Sequence, residues 1–150
     1  MKSLVQLVII TICLCPTAKM VNADAPEEGV LSISITGTKS EKGNLVAYLW
    51  DQPKGFPSDS KKKIAMVSIR ATKEACSLRF EKLQLNRVYA VSIMHDENAN
   101  EEMDSNLVGI PKEGYATSRN VPHSMFGPPK FQDASFKFSK STEIEIKMLY

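Results

Sequence analysis

Apolar and polar residues alternate with a period of two through much of the chain, most clearly in segments 30–36, 76–80, 88–93 and 144–148. Successive side chains of a β-strand point to opposite faces of a sheet, so this pattern predicts strands with one buried face. Segment 134–139 shows the same alternation, and segment 64–70 is also a predicted strand. Segment 45–50 is apolar on both faces, which is typical of a strand that is covered on two sides.

These strand candidates are separated by turn residues, and no stretch has the period of an amphipathic helix. The seven strand candidates therefore predict an all-β domain of about seven strands, either a sandwich or a barrel. Tyr89 begins a strand directly after a turn, as in the tyrosine corner of Greek-key sandwiches. Ser141 and Thr142 form a predicted turn between the last two strands, so a final hairpin is expected. Cys76 lies on an apolar strand face, where we expect it to pack as a small hydrophobe.

Residues 95–136 are the part of the chain densest in Gly, Pro, Asn and Asp, and they form a predicted long loop region. Oxygen-bearing side chains occupy alternate positions at its start: Asp96, Asn98, Asn100, Glu102 and Asp104. Such oxygens on a flexible loop are the ligands that Ca²⁺ prefers. The usual glycine at position 6 is replaced by Glu101, and the usual acid at position 12 by Leu107. A turn held by its own side-chain hydrogen bonds is the alternative.

Five residues of the same region form a candidate loop surface: His95, Tyr115, His123, Phe126 and Phe131. Aromatic rings in such a loop contact a partner or a sugar ring, or they anchor the loop to the sandwich. A catalytic pairing of His95 with Asp96 or Asp104, with Ser118 or Ser124 as nucleophile, has no nucleophile-elbow signature to support it. We therefore assign no catalytic residue.

The first residues have the features of a secretory signal peptide. Lys2 precedes an apolar run at 4–14, and Val21-Asn22-Ala23 offers a cleavage site, which predicts a signal peptide at 1–23 and one domain at 24–150. The chain carries a net charge of +2, and Lys2 and Lys19 account for it, so the mature chain is neutral. Nucleic acid is excluded as a partner, and so is a stable membrane anchor after signal cleavage. Cys76 remains as the single cysteine, so no internal disulfide is expected.

Two runs, YAVSIMHDENANEEMDSNLVGIPKEGYATSRN and MFGPPKFQDASF, carry a family resemblance. Together they are similar to the bacterial family called domain of unknown function 2141, whose members pair a Tyr-Ala-Val strand with His-Asp-Glu-Asn, Gly-Ile-Pro-Lys-Glu-Gly-Tyr and Phe-Gly-Pro-Pro. The resemblance covers essentially the mature chain. It implies an exported, immunoglobulin-like or prealbumin-like antiparallel sandwich with one long ordered loop region, and it implies no activity. Members often carry Gly where this chain has Ala99 and Glu101.

The sequence favours an exported, non-enzymatic binding or accessory module, either periplasmic or secreted. Its partner is an unknown protein or small ligand, and calcium is the one candidate cofactor, bound weakly by the acidic loop. A metal-dependent hydrolase that uses His95 and the neighbouring carboxylates is the first alternative. An envelope protein that binds only other proteins is the second.

Overall fold

The computed structural model describes residues 26–107, 111–122 and 127–150, which form a two-sheet β-sandwich. Its strands are β1 Glu28–Thr36, β2 Asn44–Trp50, β3 Ala65–Arg70, β4 Cys76–Gln84, β5 Arg87–Asp96, β6 Gly114–Thr117, β7 Phe136–Phe138 and β8 Thr142–Lys147. The smaller sheet has the order β4-β1-β8, and the larger has the order β3-β2-β5-β6 with β7 paired to β5. Helix is confined there to α1 (Phe131–Ala134) and two 3₁₀ turns, Ser60–Lys62 and Ser118–Asn120. The all-β prediction is confirmed.

The inner faces of the two sheets enclose one apolar core, and alternation along each strand supplies it. Leu31, Ile33 and Ile35 of β1 are fully buried there, and Cys76 packs against the same core beside Ile35. Tyr89 fulfils its predicted role, because its hydroxyl donates a hydrogen bond of 3.3 Å to the carbonyl oxygen of Gln84. This bond ties the start of β5 back to the end of β4, as a tyrosine corner does.

The last two strands correct two expectations. Instead of forming a hairpin, β7 pairs with β5 and β8 pairs with β1, so the chain crosses between the sheets at the turn near Ser141. The β1–β8 pairing is parallel, so the sandwich is not wholly antiparallel. Alternation shows which face of a strand is buried, but it does not show which strand lies beside it.

Three further expectations concern the rest of the chain. The predicted loop region contains strand β6, a 3₁₀ turn and α1, so it is more regular than the sequence indicated. The predicted signal peptide at 1–23, His123 and Phe126 lie outside the described residues. Within the described ranges, no helix is long and apolar enough to cross a membrane.

The outer face of the larger sheet carries a second apolar cluster, which explains why β2 is apolar on both faces. Trp50 is fully buried in this cluster, and its ring packs edge-on against Tyr48 and Phe56. Its indole N–H donates to Ser92 Oγ at 2.9 Å, and that hydroxyl donates to the carbonyl oxygen of Pro57 at 2.9 Å. Loop residues therefore cover part of this face, and the candidate site lies beside them.

Candidate functional site

The sequence suggested that His95 lies on the loop surface, and the structure shows that it does not. It belongs to β5, two positions after Ile93, and its side chain is fully buried. One ring nitrogen, Nε2, lies 2.9 Å from the carbonyl oxygen of Lys42, and Nδ1 lies 2.7 Å from the hydroxyl of Tyr150. Since a carbonyl oxygen only accepts, Nε2 carries the proton and Nδ1 accepts from Tyr150. Both nitrogens are therefore engaged, which leaves none for a metal or a substrate.

Asp96, the first residue of the acidic loop (residues 96–105), is a buried carboxylate that shapes the loop. It is 1% exposed, and its oxygens accept the backbone N–H groups of Asn100 at 3.1 Å and Glu101 at 3.0 Å. Ala99 and Glu101 adopt left-handed φ values of 59° and 62°. Glycine adopts such φ values at the least cost, so this turn forms here without the residue that suits it best.

Three more side chains of the acidic loop bond to one another, and Glu113 accepts backbone N–H groups of the loop. The amide groups of Asn98 and Asn100 donate to the Asp104 carboxylate at 2.8 and 3.3 Å. Glu113 lies outside the loop, and its two oxygens accept the backbone N–H groups of Glu97 and Asp104, each at 3.1 Å. No pattern in the sequence marks Glu113 as part of the site. Its carboxylate holds the two ends of the loop together.

The candidate calcium ligands are thus brought close together, with the exception of the exposed Glu102 side chain, for which no contact places it among them. Among the described residues, no group of three or more His, Cys, Asp or Glu side chains is arranged to hold a metal ion. A calcium ion in this loop would depend on the amide oxygens of Asn98 and Asn100. Those oxygens already accept backbone N–H groups, at 3.1 and 2.8 Å. Weak binding is the most that this arrangement supports.

An open cleft of about 800 Å³ lies between the acidic loop and the outer face of the larger sheet. Side chains of β2, β5 and β6 form its floor: Tyr48, Ser92, Met94, Tyr115 and Thr117. The β2–β3 connection forms one wall through residues 57–61. The acidic loop forms another through Glu101, Glu102 and Met103, and residues 127–129 add to the lining. We call this cavity the outer cleft.

Thr117 is the most informative residue of the outer cleft. It is 2% exposed, lies opposite Ser92 on the neighbouring strand, and its hydroxyl has no hydrogen-bond partner among the described residues. Leaving a buried hydroxyl unpaired costs free energy, and so such groups in native proteins usually have a partner. The oxygen is itself buried, so a molecule in the cleft would pair with this hydroxyl only after a small shift of the Thr117 side chain.

The outer cleft is also electrically asymmetric. Asp59, Glu101 and Glu102 contribute carboxylates, and Lys61 is the one basic residue among the described residues that line it. Burial raises the pKa of the Tyr48 phenol above its ordinary value of 10.0, and the carboxylates of Glu101 and Asp96 raise it further. The negative potential of the acidic loop therefore extends to the floor of the cleft.

The aromatic residues of the loop region have separate positions. Phe131 is 8% exposed and packs against Phe56 at 5.8 Å between ring centroids, so it anchors α1 to the outer apolar cluster. Tyr115 is half-buried and lines the cleft. Sequence reasoning missed Tyr48, Met94 and Thr117, although the doubly apolar β2 indicated that something covers the outer face.

The fold and the cleft define a small β-sandwich domain whose loops enclose a cavity on one face. The chain belongs to the bacterial family of uncharacterized proteins called domain of unknown function 2141, whose family model matches residues 33–146. No curated protein and no solved structure gives a significant match.

Proposed function

We propose that this protein is an exported, non-enzymatic binding module that holds a small molecule in the outer cleft. The unpaired, buried hydroxyl of Thr117 on the cleft floor carries this proposal. Concave, largely apolar cavities with a few polar groups are where proteins bind small ligands. The outer cleft has this character, because Tyr48, Met94 and Met103 line it together with Thr117.

The geometry gives less support to a hydrolase. His95 is sealed in the core with both nitrogens hydrogen-bonded. Ser118, the nucleophile candidate that lies within the described residues, is also fully buried. Its hydroxyl accepts the backbone N–H of Val91 at 2.9 Å and donates to the carbonyl oxygen of Ala134 at 2.6 Å. A nucleophile needs a free path to the substrate and a base within reach. Neither Ser118 nor His95 has a free path to a substrate.

A neutral fluorescent probe tests the binding module. N-phenyl-1-naphthylamine emits strongly in apolar sites, and we expect it to bind the mature protein and quench Trp50 by energy transfer. Trp50 is the only tryptophan, and its ring lies 6.4 Å from that of Tyr48 on the cleft floor. Ser58→Phe narrows the cleft from its exposed wall and should weaken binding. Ser77→Phe, an exposed position on β4 of the other sheet, is the matched control. Equal probe binding by both variants would rule out the outer cleft as the site.

A weak calcium site in the acidic loop is a second candidate function. The sharp turn that position 6 of a calcium loop requires is present, since Glu101 adopts a left-handed φ of 62°. The carboxylate of Glu113, from outside the loop, accepts the backbone N–H of Asp104 and adds negative charge beside the loop. Calcium would have to displace two amide–carboxylate hydrogen bonds, so its dissociation constant should be about 10⁻⁴ to 10⁻³ M.

Thermal melts with calcium, magnesium and chelator test this second function. Calcium alone should raise the melting temperature, and Asp104→Asn should abolish the rise. Asp96→Ala is a poor test, because the buried Asp96 carboxylate accepts two backbone N–H groups and its loss would destabilise the loop without any metal. Identical melts of the wild type in calcium and in chelator would show that the loop is a hydrogen-bonded turn only.

A further inference from the structure

We propose that the ligand of the outer cleft is an organic cation, an ammonium group on an apolar body. This inference rests on the proposed binding function and adds the chemical class of the ligand. Its basis is the juxtaposition of carboxylates on the cleft walls with aromatic and thioether side chains on its floor.

The charged groups favour a positive ligand. The described lining residues carry three carboxylates, those of Asp59, Glu101 and Glu102, and one ammonium, that of Lys61. The ammonium of Lys63 lies 5.3 Å from the Tyr48 ring centroid, so the local excess is one negative charge. The Glu101 and Glu102 side chains are exposed and have no ion-pair partner in the described part of the chain. A cleft lined by one sign of charge concentrates ligands of the opposite sign. An anionic ligand would be repelled from the same walls.

The aromatic residues favour an ammonium in particular. A cation within about 6 Å of an aromatic ring centroid is attracted by the face of the ring. The chain already uses Tyr48 in this way, because the ammonium of Lys63 lies 5.3 Å from the ring centroid and donates to the carbonyl oxygen of Ser60 at 2.9 Å. Tyr48 and Ser60 both line the outer cleft. Tyr48 therefore already holds one ammonium group of the protein, and a ligand ammonium would displace Lys63 or lie against Tyr115, the second aromatic residue that lines the cleft.

The remaining contacts suit the body of such a ligand. Met94 and Met103 offer adaptable apolar surface, as thioethers commonly do at binding sites. The hydroxyl of Thr117 both donates and accepts, so it can pair with a second polar group on the ligand. A ligand with an ammonium group, an aromatic or aliphatic body and one hydroxyl would match all three features.

Three matched probes test the charge requirement by isothermal titration calorimetry: tyramine, its neutral alcohol analogue tyrosol, and the anion 3-(4-hydroxyphenyl)propionate. We expect tyramine to bind about tenfold more tightly than tyrosol, and the anion to bind least. Raising the salt concentration should weaken the binding of tyramine and leave that of tyrosol unchanged, because salt screens charges and not apolar contacts.

Two double variants locate the effect. Glu101→Gln with Glu102→Gln should weaken the binding of tyramine about five- to tenfold and leave the affinity for tyrosol unchanged. Glu81→Gln with Glu143→Gln makes the same charge change on the exposed surface of the smaller sheet and should leave both affinities unchanged. If tyrosol or the naphthylamine probe binds in the cleft but tyramine binds no more tightly than tyrosol, the cation inference is wrong and the binding module stands. If no probe binds in the cleft, both proposals fail.

Discussion

Thr117 gives the sharpest prediction, because its unpaired hydroxyl should lower the stability of the ligand-free protein. Thr117→Val replaces the hydroxyl with a methyl group of similar size in a site that is 2% exposed. The substitution removes a buried polar group that has no partner and adds apolar surface to a buried site. We therefore expect the free energy of unfolding to rise and ligand binding to weaken in the same variant.

The magnitude follows from the cost of burying an unpaired hydroxyl. Mutational data put that cost at about 1–3 kcal/mol, and some of it is recovered in any native structure by small shifts. A gain of about 1 kcal/mol is thus expected for Thr117→Val, equivalent to roughly 3 °C in melting temperature for a domain of this size. Thr38 provides a matched comparison, because it is 6% exposed, its hydroxyl is likewise unpaired among the described residues, and it does not line the outer cleft.

Urea unfolding of the wild type and of both valine variants measures the gain, with Trp50 fluorescence as the signal. Both variants should be stabilised, but only Thr117→Val should weaken binding of the cleft probes. A loss of stability in Thr117→Val would mean that the hydroxyl has a partner in the free protein, and the argument for the cleft would then lose its main support. Equal weakening of binding by Thr38→Val would show that the effect does not arise in the cleft.

Four further predictions follow from other contacts. Tyr150→Phe removes the donor to the buried Nδ1 of His95 and should cost about 1–3 kcal/mol by urea unfolding, whereas an unchanged stability would contradict the assigned bond. Ala99→Gly should raise stability by about 0.5 kcal/mol because the left-handed φ of 59° strains alanine, and a loss in the same assay would contradict that strain. Cys76→Ala should cost about 1 kcal/mol and leave probe binding intact, since the thiol packs against the core away from the outer cleft; lost binding by a folded variant would contradict this role. Burial raises the pKa of every tyrosine above 10.0, which favours the protonated form in the folded state. Their contribution to the free energy of unfolding should therefore be fully present below pH 10.0 and fall above it, in step with tyrosinate absorbance. A free energy of unfolding that is flat through that range would refute the shifts. The residues are Tyr48, Tyr89, Tyr115 and Tyr150.

Strand positions were readable from the sequence because alternation reports burial directly. The run Leu31, Ile33 and Ile35 marks the inner face of β1, and all three residues are fully buried. Strand β6 was missed because its four residues lie in a Gly- and Pro-rich stretch, too short for alternation to appear. The pairing of β8 with β1 was missed because it depends on contacts distant in sequence, which no local pattern encodes.

The acidic loop was found from its oxygen-bearing residues, but the cleft beside it was not. Thr117 and Tyr48 lie on separate strands, and only the register between β2, β5 and β6 brings them to one face. The burial of His95 was in principle predictable, since it continues the inward alternation of Val91 and Ile93. Its polar character and its place before the acidic residues favoured a surface reading instead.

The parallel β1–β8 pair has a consequence for how fast the chain folds. Val30 donates a hydrogen bond to Ser141 Oγ across 111 residues of sequence, and β1 forms the centre of the smaller sheet between β4 and β8. Closing so large a loop is slow, and folds of high contact order form in milliseconds to seconds rather than microseconds. The smaller sheet is incomplete until β8 has emerged from the ribosome. Such a delay suits a polypeptide that must stay unfolded while it crosses a membrane, the route that we propose for this chain.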